Sequence, residues 1–532
     1  MTVDADVVVA GAGPVGLMLA CELHLAGVGS LVLERLPEPS QVPKANGLVG
    51  QVVQLLDHRG LLERFAAGAP FAGPTASFQF GGLPLDLARL DSSPLHILPI
   101  PQPRLERLLG DRARELGVEI RRGHELRALA QDDEGVTADV RGPSGDRRLR
   151  ARHLVGCDGA HSAVRKQAGI DFPGLAGRGV TRIGHVRLPD ELVVPGTREL
   201  DVPGVGRLRP GFNRTPRGTF AVMSFEPGVH VLASIEADGA PDDPAAPMTL
   251  DELRASVRRV LGADLPMGEP RWLSRNAGQS RLAVRYRSGR VLLAGDAAHL
   301  FAAGGAALNA GLMDSVNLAW KLGGVLRGWA PPGLLDTYEA ERRAVGERVL
   351  VHTRAQAALM APGEDVDALR QVVGELLRHE QSLRHVAELL HGPDVRQGGS
   401  GPGAHPLAGR WAPDVPLDTR GGATRLAELM RRARPVLLDL ADRSALRAEV
   451  RGWGDRVDVV AASSPRPPPT RCWSGPTASS PGRQRRASRT TRPGPRCAGR
   501  WARGSVSPWP AERSRRPPAA ARPAGRARCC RR

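Results

Sequence analysis

Three short segments, far apart in the chain, carry residue types that can do chemistry. The first is Gly11-Ala12-Gly13-Pro14-Val15-Gly16, with Glu34 and Arg35 beyond it. A glycine at position 11 permits a tight turn, one at 13 lets a pyrophosphate approach the main chain, and one at 16 lets a helix pack on the preceding strand. The free N–H groups at the start of that helix then face the phosphates. Glu34 lies where an acid at the tip of the next strand accepts hydrogen bonds from a ribose. The other two segments are Asp158-Gly159 and Gly295-Asp296, each following an apolar run, and each alone readable as an ordinary turn. Lys44, after Pro43 in a polar loop, is either a solvated lysine or a cation for a cofactor phosphate. The histidines, His185 and His299 included, lack metal-ligand spacing, so no metal is expected, and no catalytic triad stands out.

The elements that must hold these residues follow from periodicity. Val7-Val8-Val9-Ala10, the glycine turn, a helical pattern and Leu31-Val32-Leu33 read as strand, turn, helix and strand. A polar loop over 36–47 precedes a helix through Gln51, Val52, Leu55 and Leu56 that Gly60 can end. A second helix spans 105–116 after Gln102-Pro103-Arg104, and an apolar strand, 154–157, runs into Asp158. From 175 to 275, alternating and proline-interrupted segments predict an antiparallel sheet inserted in the nucleotide fold. Residues 290–294 restore a buried strand ending at Gly295-Asp296. A small-residue loop, with Gly304, Gly305, Ala306, Ala307, Leu308 and Asn309, then feeds a long helix expected to start near Gly311. A smaller α/β segment over 407–462 closes the patterned part.

Charge and cysteine usage divide the chain at the same place. The net charge is +18, and from Pro465 onward there are eighteen arginines against one acid, Glu512, so the body is close to neutral. The basic balance therefore gives no reason to assign the body a nucleic-acid partner. Cys21 and Cys157 sit in apolar settings and are expected as buried free thiols in a reducing compartment. No run of about twenty apolar residues suggests a membrane span, and the acidic start Met1-Thr2-Val3-Asp4 has no leader pattern, so a cytoplasmic protein is expected.

On these residues and their order the chain resembles the flavoprotein aromatic hydroxylases, class A monooxygenases of the para-hydroxybenzoate hydroxylase fold. It is most similar to the branch that modifies aromatic polyketides and phenols, over Val3 to about Ala462. The resemblance implies an α/β fold: a Rossmann-like FAD-binding domain (1–174 and 276–394), an inserted antiparallel-sheet substrate domain (175–275, with 71–98 contributing), and a C-terminal thioredoxin-like α/β domain (404–463). By resemblance, Gly11, Gly13, Pro14, Gly16, Glu34 and Arg35 hold the ADP half of FAD, and Lys44 and Gln102 approach the pyrophosphate and ribityl. Asp158 lies at a motif shared by FAD and NAD(P)H, Gly295 and Asp296 meet a ribityl hydroxyl, and Gly304, Gly305, Ala307, Leu308 and Asn309 wrap the isoalloxazine.

With only one dinucleotide fingerprint, NAD(P)H, NADPH in that family, is a visiting co-substrate. The reaction implied is reduction of FAD, addition of O2 to give a flavin C4a-hydroperoxide, and oxygen transfer to a polycyclic aromatic polyketide or phenol in antibiotic biosynthesis. The cofactor carries this chemistry, so no catalytic residue beyond the flavin is expected. The segment from His299 to Asn309 lacks a proline common in the group and resembles a sub-branch that includes Baeyer–Villiger-type oxygenases, which keeps that reaction as an alternative. Phe78, Phe80, Leu83, His185, Phe220, Met223 and Phe225 are candidate substrate-lining residues, with core packing as the competing reading for each. The non-enzyme alternatives are an inactive FAD-binding scaffold and a nucleic-acid binder acting through the arginine-rich tail. Beyond the aromatic substrate and O2, no membrane partner is expected, and a homodimer is left open.

The tail from 464 to 532 carries the marks of a shifted reading frame and is expected to be disordered. From Pro465 it has no Leu, Ile, Met, Phe, Tyr, Lys, Asp or Asn, although the preceding segment is rich in Leu and Asp. Relatives of this branch end in L-V-R-P-D-G-F-x-A-W. Read from the third base, codons from Pro469 to Gly482 allow Asp-Ala-Leu-Leu-Val-Arg-Pro-Asp-Gly-Phe-Val-Ala-Trp. A shift between about Val460 and Pro469 leaves the last domain without its closing strands and with an unpaired edge. Resequencing the DNA there is expected to reveal the shift; an intact present frame in a stably folded natural product defeats the idea.

Overall fold

A computed structural model describes residues 3–226, 228–236, 246–302, 306–392, 405 and 407–465, and the main chain of 471–474 and 479–480. The Arg-rich segment beyond these, and its expected disorder, lie outside the described residues. Val7, Val8 and Val9 are all buried, so strand Ala5–Ala10 is apolar on both faces, as a central parallel strand must be. It pairs in parallel with Gly145–Gly156 on one side and Ser30–Glu34 on the other, and the sheet extends in parallel to Val291–Leu293 and Glu119–Arg122. The register aligns the strand ends: Ala10 faces both Gly156 and Leu33, and Gly156 faces Leu293. Gly11, Cys157-Asp158 and Ala294-Gly295-Asp296 therefore leave the sheet at one edge.

The inserted sheet has six antiparallel strands in the order Gly211–Thr215, Gly218–Glu226, Val229–Glu236, Gly174–Arg187, Trp272–Leu282 and His299–Leu300. It runs past the boundary expected at 275, because Trp272–Leu282 continues until Leu282 meets His299. Residues 71–98 do not join it: Ser77–Phe80 pairs with Leu83–Asp86 as a separate hairpin, and His96–Pro99 pairs with Gly47–Val49 and Gly73–Pro74. Side chains alternate along each strand. Phe220, Val222 and Leu232 pack with Leu253, Val257 and Val260 of helix Leu250–Leu261. That helix is capped by Thr249, whose hydroxyl accepts the Glu252 N–H, and it ends on Gly262 at φ +81°. The helix expected near Gly311 is described from Ala306 to Leu326.

The C-terminal part is a five-stranded mixed sheet, ordered Gly422–Arg425, Pro416–Thr419, Asp458–Ser463, Val436–Asp439 and Arg471–Ser474. The edge expected to be bare is covered, since Arg471–Ser474 pairs with Val436–Asp439. Cys21 is buried and Cys157 half-buried, both as free thiols, and burial pushes the Cys21 thiol up to about 12.

Charged side chains, one of them the buried Arg59, dock this part onto the nucleotide-binding part. Arg59 donates from Nε and Nη2 to Glu22 at 2.7 and 2.8 Å, and from Nη1 to the Met430 carbonyl at 3.1 Å. Arg425 clasps both carboxylate oxygens of Asp57. Beside them the His58 ring stacks on Trp411 at 5.1 Å and 7°. Burial, reinforced by Arg59, drops the His58 pKa to about 3. The neutral ring is thus favoured by folding, and the unfolded chain takes up the proton first as pH falls below about 6.5. This contribution is full above that pH, is lost progressively down to about pH 3, and amounts to about 2 kcal/mol of lost stability at pH 5. Melting at pH 7.5 and 5 is expected to show a smaller acid-induced drop in Tm for His58→Phe than for the unmodified protein; equal drops refute this.

Candidate active site

The glycine turn is built as its spacing predicts. Gly11 has φ +106°, and a Cβ there or at Gly16 would overlap the Cys157 or the Gly11 carbonyl oxygen. At Gly13, by contrast, nothing lies within 4 Å of where a Cβ would sit. Gly13 caps helix Pro14–Leu25 without a side-chain bond, leaving the first-turn N–H groups to an anion. Glu34 is clamped across this mouth, accepting the Ala12 N–H at 2.8 Å on one oxygen and the Leu36 N–H at 2.9 Å on the other. Both oxygens keep lone pairs for a ribose. Arg35 is exposed.

Across the sheet edge, Asp158 accepts the Val164 N–H at 3.1 Å on Oδ2, while its buried Oδ1 has no partner among the described residues. Arg165, one turn later, donates to the carbonyls of Ala297 and Ala160 and stacks on Phe172 at 3.9 Å. Gly295 adopts φ +65°, and Asp296 beside it is half-buried. Burial raises the Asp296 carboxyl above its usual range, against the pull of His299 and Lys44.

A cavity of about 2890 Å³ opens beside this edge. Asp296, Lys44, Ala307 and Asn309 line it, as do Ala310 and Met313 one turn along the same helix. Gly11, Gly13, Pro14, Gly16, Glu34, Gln102, Asp158 and Gly295 are not among its lining residues. Gln102 instead donates to Glu106 at 2.7 Å, Leu308 packs on the main core, and Asn309 also accepts the Val49 N–H at 2.9 Å. Gly304 and Gly305 lie outside the described residues.

The opposite wall is the inserted sheet. Thr181, Ile183 and His185 line it from one strand and Thr219, Ala221 and Met223 from another, each set two residues apart. Of the substrate candidates, Phe78, His185 and Met223 line the cavity. Phe220 has the opposite parity and is buried against the helix behind the sheet. Phe80 and Leu83 pack instead into a satellite core with Leu85 and Leu359. The Phe225 side chain lies outside the described residues. Lys44 and eight arginines line the cavity against two acids, Glu199 and Asp296, which favours anionic ligands.

Asp314 escaped the sequence reading. It is buried on helix Ala306–Leu326 and bonds Gly295, His299 and Arg342. Its only signal was an acid inside the apolar run Leu312-Met313-Asp314-Ser315-Val316. Among the described residues no group of three His, Cys, Asp or Glu is placed to hold a metal, and no helix is long and apolar enough to cross a membrane.

A parallel run of strands whose common edge gathers a glycine turn and two acids, beside a large cavity, is the arrangement of a nucleotide-binding fold. Residues 4–353 match the family of FAD binding domains and residues 405–480 the C-terminal domain of aromatic-ring hydroxylases, so the chain belongs to the FAD-dependent aromatic-ring hydroxylases, a family of monooxygenases. It is 47% identical over 462 residues, 86% of this chain and 90% of the relative, to a 12-dehydrotetracycline 5-monooxygenase/anhydrotetracycline 6-monooxygenase of Streptomyces rimosus. It is 41% identical over 464 residues, again 86% and 90%, to a rifampicin monooxygenase of Streptomyces venezuelae. The solved anhydrotetracycline hydroxylase OxyS of Streptomyces rimosus superposes with a TM-score of 0.80 at 44% identity, over 90% of this chain and 94% of that one.

FAD fits the residues present: the main chain is open at Gly13, the carboxylate of Glu34 is fixed, and the buried Asp158 Oδ1 lacks a partner among the described residues. The glycines separate two roles. Gly16→Ala is expected to cost about 1–3 kcal/mol of folding stability by overpacking the turn. Gly13→Ala is expected to fold with a loss of no more than about 1 kcal/mol but to bind FAD at least roughly tenfold more weakly. Denaturant melts and flavin fluorescence titration check both.

Proposed function

We propose that this enzyme uses NAD(P)H, with NADPH preferred, and O2 to insert one oxygen atom into a polycyclic aromatic polyketide or phenol. The observation that carries the reading is the cavity between the Gly295-Asp296 edge and the inserted sheet. Its 2890 Å³ exceeds the roughly 300–1,000 Å³ of ordinary ligand pockets, leaving room for a flavin ring and a multi-ring substrate together. FAD, when bound, supplies hydride acceptance and O2 activation. The chain's own residues bind, orient and exclude water: Ile183, Ala221, Met223, Val231 and Ala233 make one wall apolar. The cationic lining suits the phosphates of a visiting nicotinamide cofactor, which has no second glycine fingerprint to hold it. Relatives named for tetracycline and rifampicin substrates support the polyketide class. The free thiols Cys21 and Cys157 suit work in the reducing cytoplasm.

The test is a purified yellow protein assayed against a panel of polycyclic phenols under 18O2. NADPH oxidation is expected to rise with substrate, and one 18O atom is expected in the product. A ring-expanded product would replace hydroxylation by Baeyer–Villiger insertion; no NADPH oxidation with any phenol would sink the proposal. Met223→Trp is expected to raise KM for the largest accepted substrate about tenfold while leaving FAD content unchanged.

A further inference from the structure

The 295–299 loop is held from behind by a single buried carboxylate. Asp314 is fully buried and accepts hydrogen bonds from three segments: the Gly295 N–H at 3.1 Å, His299 Nε2 at 2.8 Å and Arg342 Nε at 2.6 Å. The first two partners flank Asp296, the acid that faces the cavity. The third belongs to helix Asp336–Met360, and Arg342 itself lines that cavity while also donating to the Ala310 carbonyl at 3.1 Å. Close approach makes this reach possible, because a Cβ at Gly311 would come within 2.9 Å of Gly295 Cα. Asp314, three residues on, lies on the same helix face.

The ring of His299 is fixed as well. Phe301 stacks on it at 4.8 Å and 18°, its Nε2 meets Asp314, and its buried Nδ1 has no partner among the described residues. Burial pushes the Asp314 carboxyl up, but Arg342 and His299 outweigh it and hold the pKa below the usual range, so the group stays an acceptor.

We infer that Asp314, acting with His299, is the positioning residue that sets the 295–299 loop and aims Asp296 at FAD. Neither residue need touch the cofactor. The inference rests on FAD binding and not on the substrate proposed above, so a wrong substrate leaves it standing.

Flavin fluorescence titration of the apoprotein tests it, with the visible spectrum of bound flavin and the Tm of the apoprotein read alongside. His299→Leu, which removes the donor, is expected to weaken FAD binding by roughly 10–100-fold and to perturb the flavin spectrum. His299→Gln, whose amide N–H can replace the donor, is expected to stay within about threefold of the unmodified protein. Asp314→Asn is expected to weaken FAD at least as much as His299→Leu; should it not fold, the His299 pair decides. A purely structural role predicts a lower apoprotein Tm with unchanged FAD affinity and spectrum in His299→Leu, and that result overturns the inference.

Discussion

The constraint on which the rest depends is the parallel register of three strands, Ala5–Ala10, Gly145–Gly156 and Val291–Leu293. Parallel pairing with aligned ends puts every following loop at the same edge, where helix N-termini and turn amides also gather. The glycine turn, Asp158 and Asp296 are more than a hundred residues apart in sequence, yet this register brings them to one edge of the sheet. A slip of one residue would turn every side chain of the slipped strand to the opposite face. The burial of Val7 to Val9 and of Val291 to Leu293 on both faces suits strands inside the sheet rather than at its edge.

The second layer follows from the first. Trp272–Leu282 leads back toward the nucleotide-binding part and pairs at its end with His299–Leu300, so the inserted sheet is hydrogen-bonded to the loop that carries Asp296. The cavity wall is thereby referenced to the cofactor edge through main-chain bonds. Alternation then assigns the sheet's faces: one to the cavity, the other to helix Leu250–Leu261, where Arg182 pairs with Glu236 and Glu252. A substitution that changes the shape of the cavity can therefore be made at Met223 without touching the packing around Phe220.

What the sequence made legible divides along these lines. The glycine turn was readable because its rule is local: three glycines, a strand before, a helix after and an acid at the next strand's tip. The existence of an inserted antiparallel sheet was readable from alternation, but its end at Leu282 was not, since that end is set by pairing with residues 299 and 300. Phe78, Met223 and Phe220 looked alike as aromatic or apolar sheet residues, and only strand parity separates Met223 from Phe220. Asp314 was invisible because its three partners come from positions 295, 299 and 342 and share no spacing with it. The paired edge at Val436–Asp439 was missed for the opposite reason: the composition of the tail gave no hint that Arg471–Ser474 would extend along it.

Helix Ala306–Leu326 shows how a buried element is given one position. It is enclosed on nearly every side, yet Asp314, Ser315, Asn317 and Lys321 are all buried polar residues within it. Apolar packing alone tolerates small slides and rotations of a helix, whereas a buried polar group left unpaired by such a slide costs several kcal/mol, on the order of 1–3 for each lost partner. These groups are tied to three different neighbours. Ser315 donates to the Val15 carbonyl at 2.8 Å, Asn317 to Glu341 at 2.7 Å, Lys321 meets the same carboxylate at 2.8 Å, and Asp314 holds the 295–299 loop. Burial lowers the Lys321 pKa to about 8 even against the attraction of Glu341, a measure of how strongly the site resists charge. A slide or rotation of the helix would break these contacts together. The placement they hold fixes Ala307, Asn309, Ala310 and Met313 on the cavity wall and Asp314 behind Gly295, so the same polar groups that make the helix costly to bury determine where the cofactor edge and the chamber meet.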